Sequence, residues 1–173
     1  MRSTRTSDGT RARWVPYDQI DVDLINAFVT VEDRRFWEHS GVDWRAVARA
    51  TKDNLRARQI VSGASTITMQ LARLMEGAPR SWRGKVTQLF WALRLEHHLT
   101  KQQILEQYLN RIELGQATVG VGAASALYFG ASPSDVSLGQ AATIAGLAHA
   151  PSRDNPYAAP ARARRLRDRV LRA

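Results

Sequence analysis

Two adjacent carboxylates, Glu32 and Asp33, open the run Val31-Glu32-Asp33-Arg34-Arg35-Phe36-Trp37-Glu38-His39-Ser40-Gly41-Val42-Asp43. Carboxylates that crowd one another and lose water hold protons more tightly, which suits general-base work. With His39, Arg34 and Arg35 close in sequence, the run fits an acid/base site. By composition alone it fits a solvated charged turn more readily, since most charged clusters are not perturbed sites.

A second run, Gly63-Ala64-Ser65-Thr66-Ile67-Thr68-Met69-Gln70, places a glycine and hydroxyls at a helix start. Free backbone N–H groups there can hold an anion such as phosphate. The run lacks the Gly-Lys-Ser/Thr ending of a nucleotide-binding loop, and an ordinary helix cap has the same spacing. Lys85, Gln88, Tyr108 and Asn110 are polar residues on otherwise apolar helices, which alone marks solvent-facing positions. Glu96, His97 and His98 suggest a metal site only superficially, because adjacent helical histidines point about 100° apart. No Ser-His-Asp set or Gly-x-Ser-x-Gly elbow can be assembled, and no residue set identifies a metal ligand.

The elements that must position these residues are helices. Asp21 or Asp23 caps one that carries Leu24, Ile25, Phe28 and Val29 and ends near Val31. Asp43 caps a second through Leu55. Ser65 or Thr66 opens a third, closed by Gly77 and Pro79. A long helix runs from Trp82 to Leu99, and Thr100 with Gln103 has the spacing of a capping box. Gly115 to Gly122 reads as a loop. Helices follow at 123–129 and 137–148, then a Pro-rich stretch around Pro151, and a basic helix from Ala161 to Arg172. Only Arg13-Trp14-Val15 and Gln59-Ile60-Val61 look extended. The expected class is mainly α. Residues 1–13 read as a flexible basic lead-in and 14–173 as one domain.

Composition narrows the partners less than it seems. The chain has 173 residues, 44% of them hydrophobic and 24% charged, which fits a folded domain rather than a disordered one. The absence of cysteine excludes disulfides and thiolate metal sites. A net charge of +9 favours nucleic acid, an acidic membrane face or a phosphorylated substrate. Arginines concentrated at the two ends are enough to produce it. No apolar stretch approaches the roughly 20 residues of a membrane span. The basic start has no apolar signal core, so a role outside the cytoplasm requires an anchor or export signal elsewhere.

Glu32-Asp33-x-x-Phe36-x-x-His39-x-Gly41-x-Asp43 resembles the first signature of the family 51 glycosyltransferases, the peptidoglycan polymerases. Gly63 to Gln70 is similar to their second signature. Lys101-x-x-Ile104-Leu105-Glu106-x-Tyr108-Leu109-Asn110, Gly120-Val121-Gly122-Ala123-Ala124, and Ala145-Gly146-Leu147 to Ala150-Pro151-Ser152 resemble later ones. All stand in the family's order and span Trp14 to Ala173. Thr68-Met69-Gln70-Leu71-Ala72-Arg73-Leu74 followed by Arg83-Gly84-Lys85 is most similar to the penicillin-binding protein 1C branch, with Ala64 where a second glycine is usual.

The resemblance implies a lysozyme-like single domain that polymerises lipid II into glycan strands. It makes Glu32 the general base on the acceptor 4-hydroxyl, with lipid pyrophosphate leaving. Asp33, Phe36 and His39 shape the site. Ser65, Thr66, Gln70, Arg73 and Lys85 hold the donor, and Tyr108 and Asn110 join the substrate-binding set. Gln88 occupies the position of the family's second catalytic glutamate, and glutamine cannot act as an acid. A divalent cation such as Mg2+ is an implied assistant. The implied partners are lipid II, the growing strand, the outer leaflet of the cytoplasmic membrane, and a transpeptidase domain or protein. Trp37, Trp44, Leu55 and Ile60, with Arg45, Arg49, Lys52, Arg56 and Arg58, form either a membrane-dipping surface or an amphipathic helix packed on the core. Gln88 also suits a non-catalytic glycan- or lipid-binding scaffold, and the implied fold suits a glycan hydrolase. Nucleic acid is not an expected partner, because the basic end lacks stacking aromatics and a helix-turn-helix cue.

Overall fold

Most helices begin at a side chain that accepts a hydrogen bond from the first turn, an arrangement contributing about 1 kcal/mol each. Asp21 Oδ1 accepts from the Asp23 N–H at 2.7 Å and starts α1 (Val22–Glu32). Asp43 accepts from Ala46 at 3.0 Å before α2 (Trp44–Ala57). Thr66 accepts from Met69 at 3.1 Å before α3 (Ile67–Glu76), and Ser81 from Gly84 at 3.1 Å before α4 (Trp82–His98). Thr100 and Gln103 exchange hydrogen bonds at the start of α5 (Lys101–Leu109). Ser137 and Gln140 do the same for α7 (Leu138–Leu147). Between these two lies α6 (Val121–Phe129), and α8 (Pro160–Leu171) begins on a proline.

The structure is a computed structural model and describes residues 4–5, 9–59, 63–77, 81–148 and 156–173. Ile60 and Val61, Pro79 and the Ala150-Pro151-Ser152 motif lie outside the described residues. The class is mainly α, as expected. Three local readings change. Residues 1–13 carry β1 (Thr4–Arg5) and β2 (Arg11–Ala12), and the expected loop after Gly115 carries β3 (Thr118–Val119). These form one small sheet, with β1 antiparallel to β2 and β2 parallel to β3. Helix α6 also starts two residues early, so Gly122 is helical. A Cβ there would collide with the Arg13 carbonyl oxygen. Glycine is what lets the 13–15 segment cross the first turn of α6.

The chain divides into two compact units, Met1–Glu32 with Leu105–Ala173, and Asp33–Ile104. In the first, α7 is buried through Ala141, Ala142, Ile144, Ala145, Gly146 and Leu147, as expected of a helix apolar all round. It packs on α1, α6 and α8. Phe28 of α1 meets Tyr108 edge-on at 6.3 Å. In the second unit α3 packs on α4, and Phe36, Ile67, Leu71 and Ala92 are fully buried. Helix α2 buries only Ala50. Its Trp44 and Leu55 are 65% and 74% exposed.

Candidate active site

The segment after α1 is built around a buried acid. Asp33 and His39 are both buried, and His39 Nε2 lies 2.9 and 3.0 Å from the two Asp33 oxygens. A carboxylate can only accept, so the imidazole hydrogen sits on Nε2. Asp33 Oδ2 also accepts from the Ile67 N–H at 3.0 Å, which ties the segment to the first residue of α3, a favourable place for negative charge. Thr66 Oγ1 donates to the Gly41 carbonyl at 2.6 Å. Phe36 fills the space beneath, edge-on to Trp37 and to His39. At the far end of the segment Asp43 pairs with Arg35 at 3.2 Å. Burial pushes the Asp43 carboxyl up, but the Ala46 N–H and the Arg35 guanidinium outweigh it and hold it below its ordinary value.

A rim of donors lies ahead of α3. Lys85 Nζ donates to Ser65 Oγ at 2.8 Å. Burial first, and then the Arg73 charge, lower the Lys85 pKa. Lys85 and Ser65 edge a cavity of about 390 Å³ whose walls are apolar, among them Val42, Trp44, Val47, Met69, Val86 and Leu89. A cation and a hydroxyl at the mouth of an apolar cavity suit an amphiphile with an anionic head. Gln70 and Arg73 are half-buried on α3, and Gln88 is buried on α4. In the other unit Glu32 is the last residue of α1, half-buried, with Oε1 shielded from solvent.

Tyr108 and Asn110, expected to hold substrate, are both buried in the first unit. Tyr108 is fully buried against Phe28. Asn110 accepts from the Val15 N–H and donates to the Val15 carbonyl, each at 2.8 Å, because buried backbone groups must find partners. For the implied magnesium, the rim itself offers the cations Lys85 and Arg73 rather than carboxylates, and magnesium otherwise takes the oxygens of substrate phosphates. Among the described residues no three His, Asp or Glu side chains converge. Sequence reasoning named Thr68, Glu96 and Lys101 but did not connect them; they join in this unit's polar network. The helix break at Leu99 removes any periodic spacing between Glu96 and Lys101, so no pattern signalled the pair.

Residues 2–173 match the family described as Transglycosylase. The chain belongs to the transglycosylase family. Its relatives include penicillin-binding protein 1C of Escherichia coli, 43% identical over 95% of this chain and 21% of that protein. A biosynthetic peptidoglycan transglycosylase of Nitrosospira multiformis is 40% identical over 87% of this chain and 66% of that protein. Among solved structures, penicillin-binding protein 1A from Haemophilus influenzae superposes with a TM-score of 0.53 at 26% identity, over 94% of this chain and 15% of that one. This transglycosylase chain thus spans about a fifth of the penicillin-binding proteins it resembles. The family match also takes in most of the expected lead-in.

Proposed function

We propose that the chain polymerises lipid II into peptidoglycan glycan strands. The acceptor's 4-hydroxyl oxygen attacks the anomeric carbon of the growing strand, forming the new glycosidic bond. Glu32 takes the hydroxyl proton. The bond from the anomeric carbon to the diphosphate oxygen breaks, and lipid diphosphate leaves with the electron pair. Lys85, Ser65, Arg73 and Gln70 hold the diphosphate, and the two cations meet the charge that builds on the leaving group. Arg73 grips phosphate through two parallel N–H donors. Gln88 offers a hydrogen bond but no proton transfer, so departure relies on these cations.

The observation that carries the reading is the Lys85–Ser65 contact at the edge of an apolar cavity, with the Arg73 charge near enough to act on Lys85. That combination suits a diphosphate carrying an apolar tail. The exposed Trp37, Trp44 and Leu55, with Arg45, Arg49, Lys52, Arg56 and Arg58 exposed beside them, support docking on the outer leaflet of the cytoplasmic membrane. Val86, Phe90 and Leu93 add an exposed apolar stripe on α4. Among the described residues no helix is long and apolar enough to cross a membrane. A transpeptidase domain or protein is the expected partner for the strands produced.

The test is a glycan-chain assay with lipid II. Glu32→Gln is expected to lose polymerisation by about 10²-fold or more, Lys85→Ala to slow it, and Gln88→Glu to keep or raise the rate. A wild-type chain that binds lipid II without polymerising it supports the scaffold reading. Release of sugars from finished peptidoglycan supports a hydrolase.

A further inference from the structure

We infer that Lys101 and Glu96 are positioning residues for the transfer reaction, an inference that rests on the function proposed above. Lys101 Nζ donates to the His39 carbonyl at 2.6 Å and to Glu96 Oε1 at 2.7 Å. It also lies 4.4 Å from the centre of the Phe36 ring, a cation–π contact. The same Glu96 oxygen accepts from Thr68 Oγ1 at 2.7 Å. One ion pair therefore grips two things. It holds the segment that carries Asp33, Phe36 and His39, and it holds the first turn of α3, directly after Ser65 and Thr66.

The packing leaves this segment little room. Gly41 has φ +90°, and a Cβ there would lie 3.0 Å from the Ala92 carbonyl oxygen and 3.1 Å from Glu96 Cγ. The backbone is pressed onto α4 where Glu96 emerges. The Lys101 side chain is 22% exposed and that of Glu96 9%. A pair this withdrawn from water adds little net stability over an apolar replacement, but removing one partner strands the other charge. Its worth lies in geometry. Asp33 follows Glu32 in the chain and bonds to Ile67, so a segment that drifts moves the residue next to the base and loosens the start of the donor rim. Misplacement by about 1 Å can cost about 10²-fold in rate without weakening substrate binding.

The experiment measures lipid II polymerisation by the intact chain, well below its melting temperature, with kcat and KM separated. Lys101→Met keeps the aliphatic stem and removes the charge. It is expected to lower kcat by about tenfold to hundredfold and to leave KM within about threefold. Lys101→Arg restores a donor to the His39 carbonyl and to Glu96 and should recover most of the loss. Val170→Ala, which thins the α7–α8 packing, supplies a loss of melting temperature with kcat unchanged. A Lys101→Met protein that melts earlier yet turns over like wild type overturns the inference. If that variant does not fold, Thr68→Val removes only the hydroxyl on Glu96. A several-fold fall in its kcat supports the inference, and an unchanged kcat overturns it. Glu32→Gln, run alongside, separates the two readings. If it is dead while Lys101→Met is normal, positioning fails and the proposed function stands. If Glu32→Gln polymerises normally, both fail.

Discussion

Lys85 is the residue whose charge state is most exposed to experiment. Burial and the Arg73 charge lower its pKa, so it loses its proton at lower pH than an ordinary lysine near 10.4. If it neutralises the leaving diphosphate, kcat/KM falls on the alkaline side before that value. Lys85→Arg, which stays charged, should move the alkaline limb upward; a pH–rate profile from 6 to about 11 reads this. Stability runs in the opposite sense. The unfolded chain binds the Lys85 proton more tightly than the folded one, so this group's contribution to stability rises with pH across the window between its folded and unfolded pKa. Asp43 has the same sign in its own, acidic window. Its folded pKa is lowered, so its contribution is full above about pH 4 and is lost as pH falls through the folded value.

Caps and close approaches decide which elements form and where they stop. Asp43 caps α2 through the Ala46 N–H and also pairs with Arg35. Asp43→Ala should therefore cost more than the roughly 1 kcal/mol of a simple cap, while Asp43→Asn keeps the cap and loses mainly the ion pair. Urea unfolding of both variants distinguishes the two contributions. At the start of α6, Gly122→Ala would drive a methyl group into the Arg13 carbonyl and the Val15 side chain. It should destabilise the first unit by about 1–3 kcal/mol. A melting temperature equal to wild type would show that the 13–15 segment is free to move away.

For the molecule as a whole, the distribution of exposed apolar residues is the telling feature. Helix α2 buries little and shows water Trp44, Leu55 and a row of basic side chains. Substituting both Trp44 and Leu55 by serine should leave the fold intact, because neither is buried. Binding to vesicles containing phosphatidylglycerol should weaken by about tenfold or more. Raising the salt should weaken the binding of both proteins, since each basic residue near an anionic surface contributes about 1 kcal/mol that ions screen. Sedimentation with anionic and neutral vesicles reads both effects. Equal sedimentation of the doubly substituted and wild-type chains would remove α2 from the membrane face.

The helices and their starting residues were legible in the amino-acid order, because caps and apolar periodicity act over three or four neighbours. Asp43, Thr66 and the Thr100–Gln103 pair were readable for that reason, and the motif order pointed to the family. Contacts between distant residues were not. The spacing of Tyr108 and Asn110 is the same whether they are exposed or buried, and only the tertiary structure shows them buried beside Phe28 and Val15. The Lys101–Glu96–Thr68 link likewise spans a helix break and two helices. Local hydrogen bonds are written into neighbouring residues; burial and long-range pairing exist only once the chain has closed upon itself.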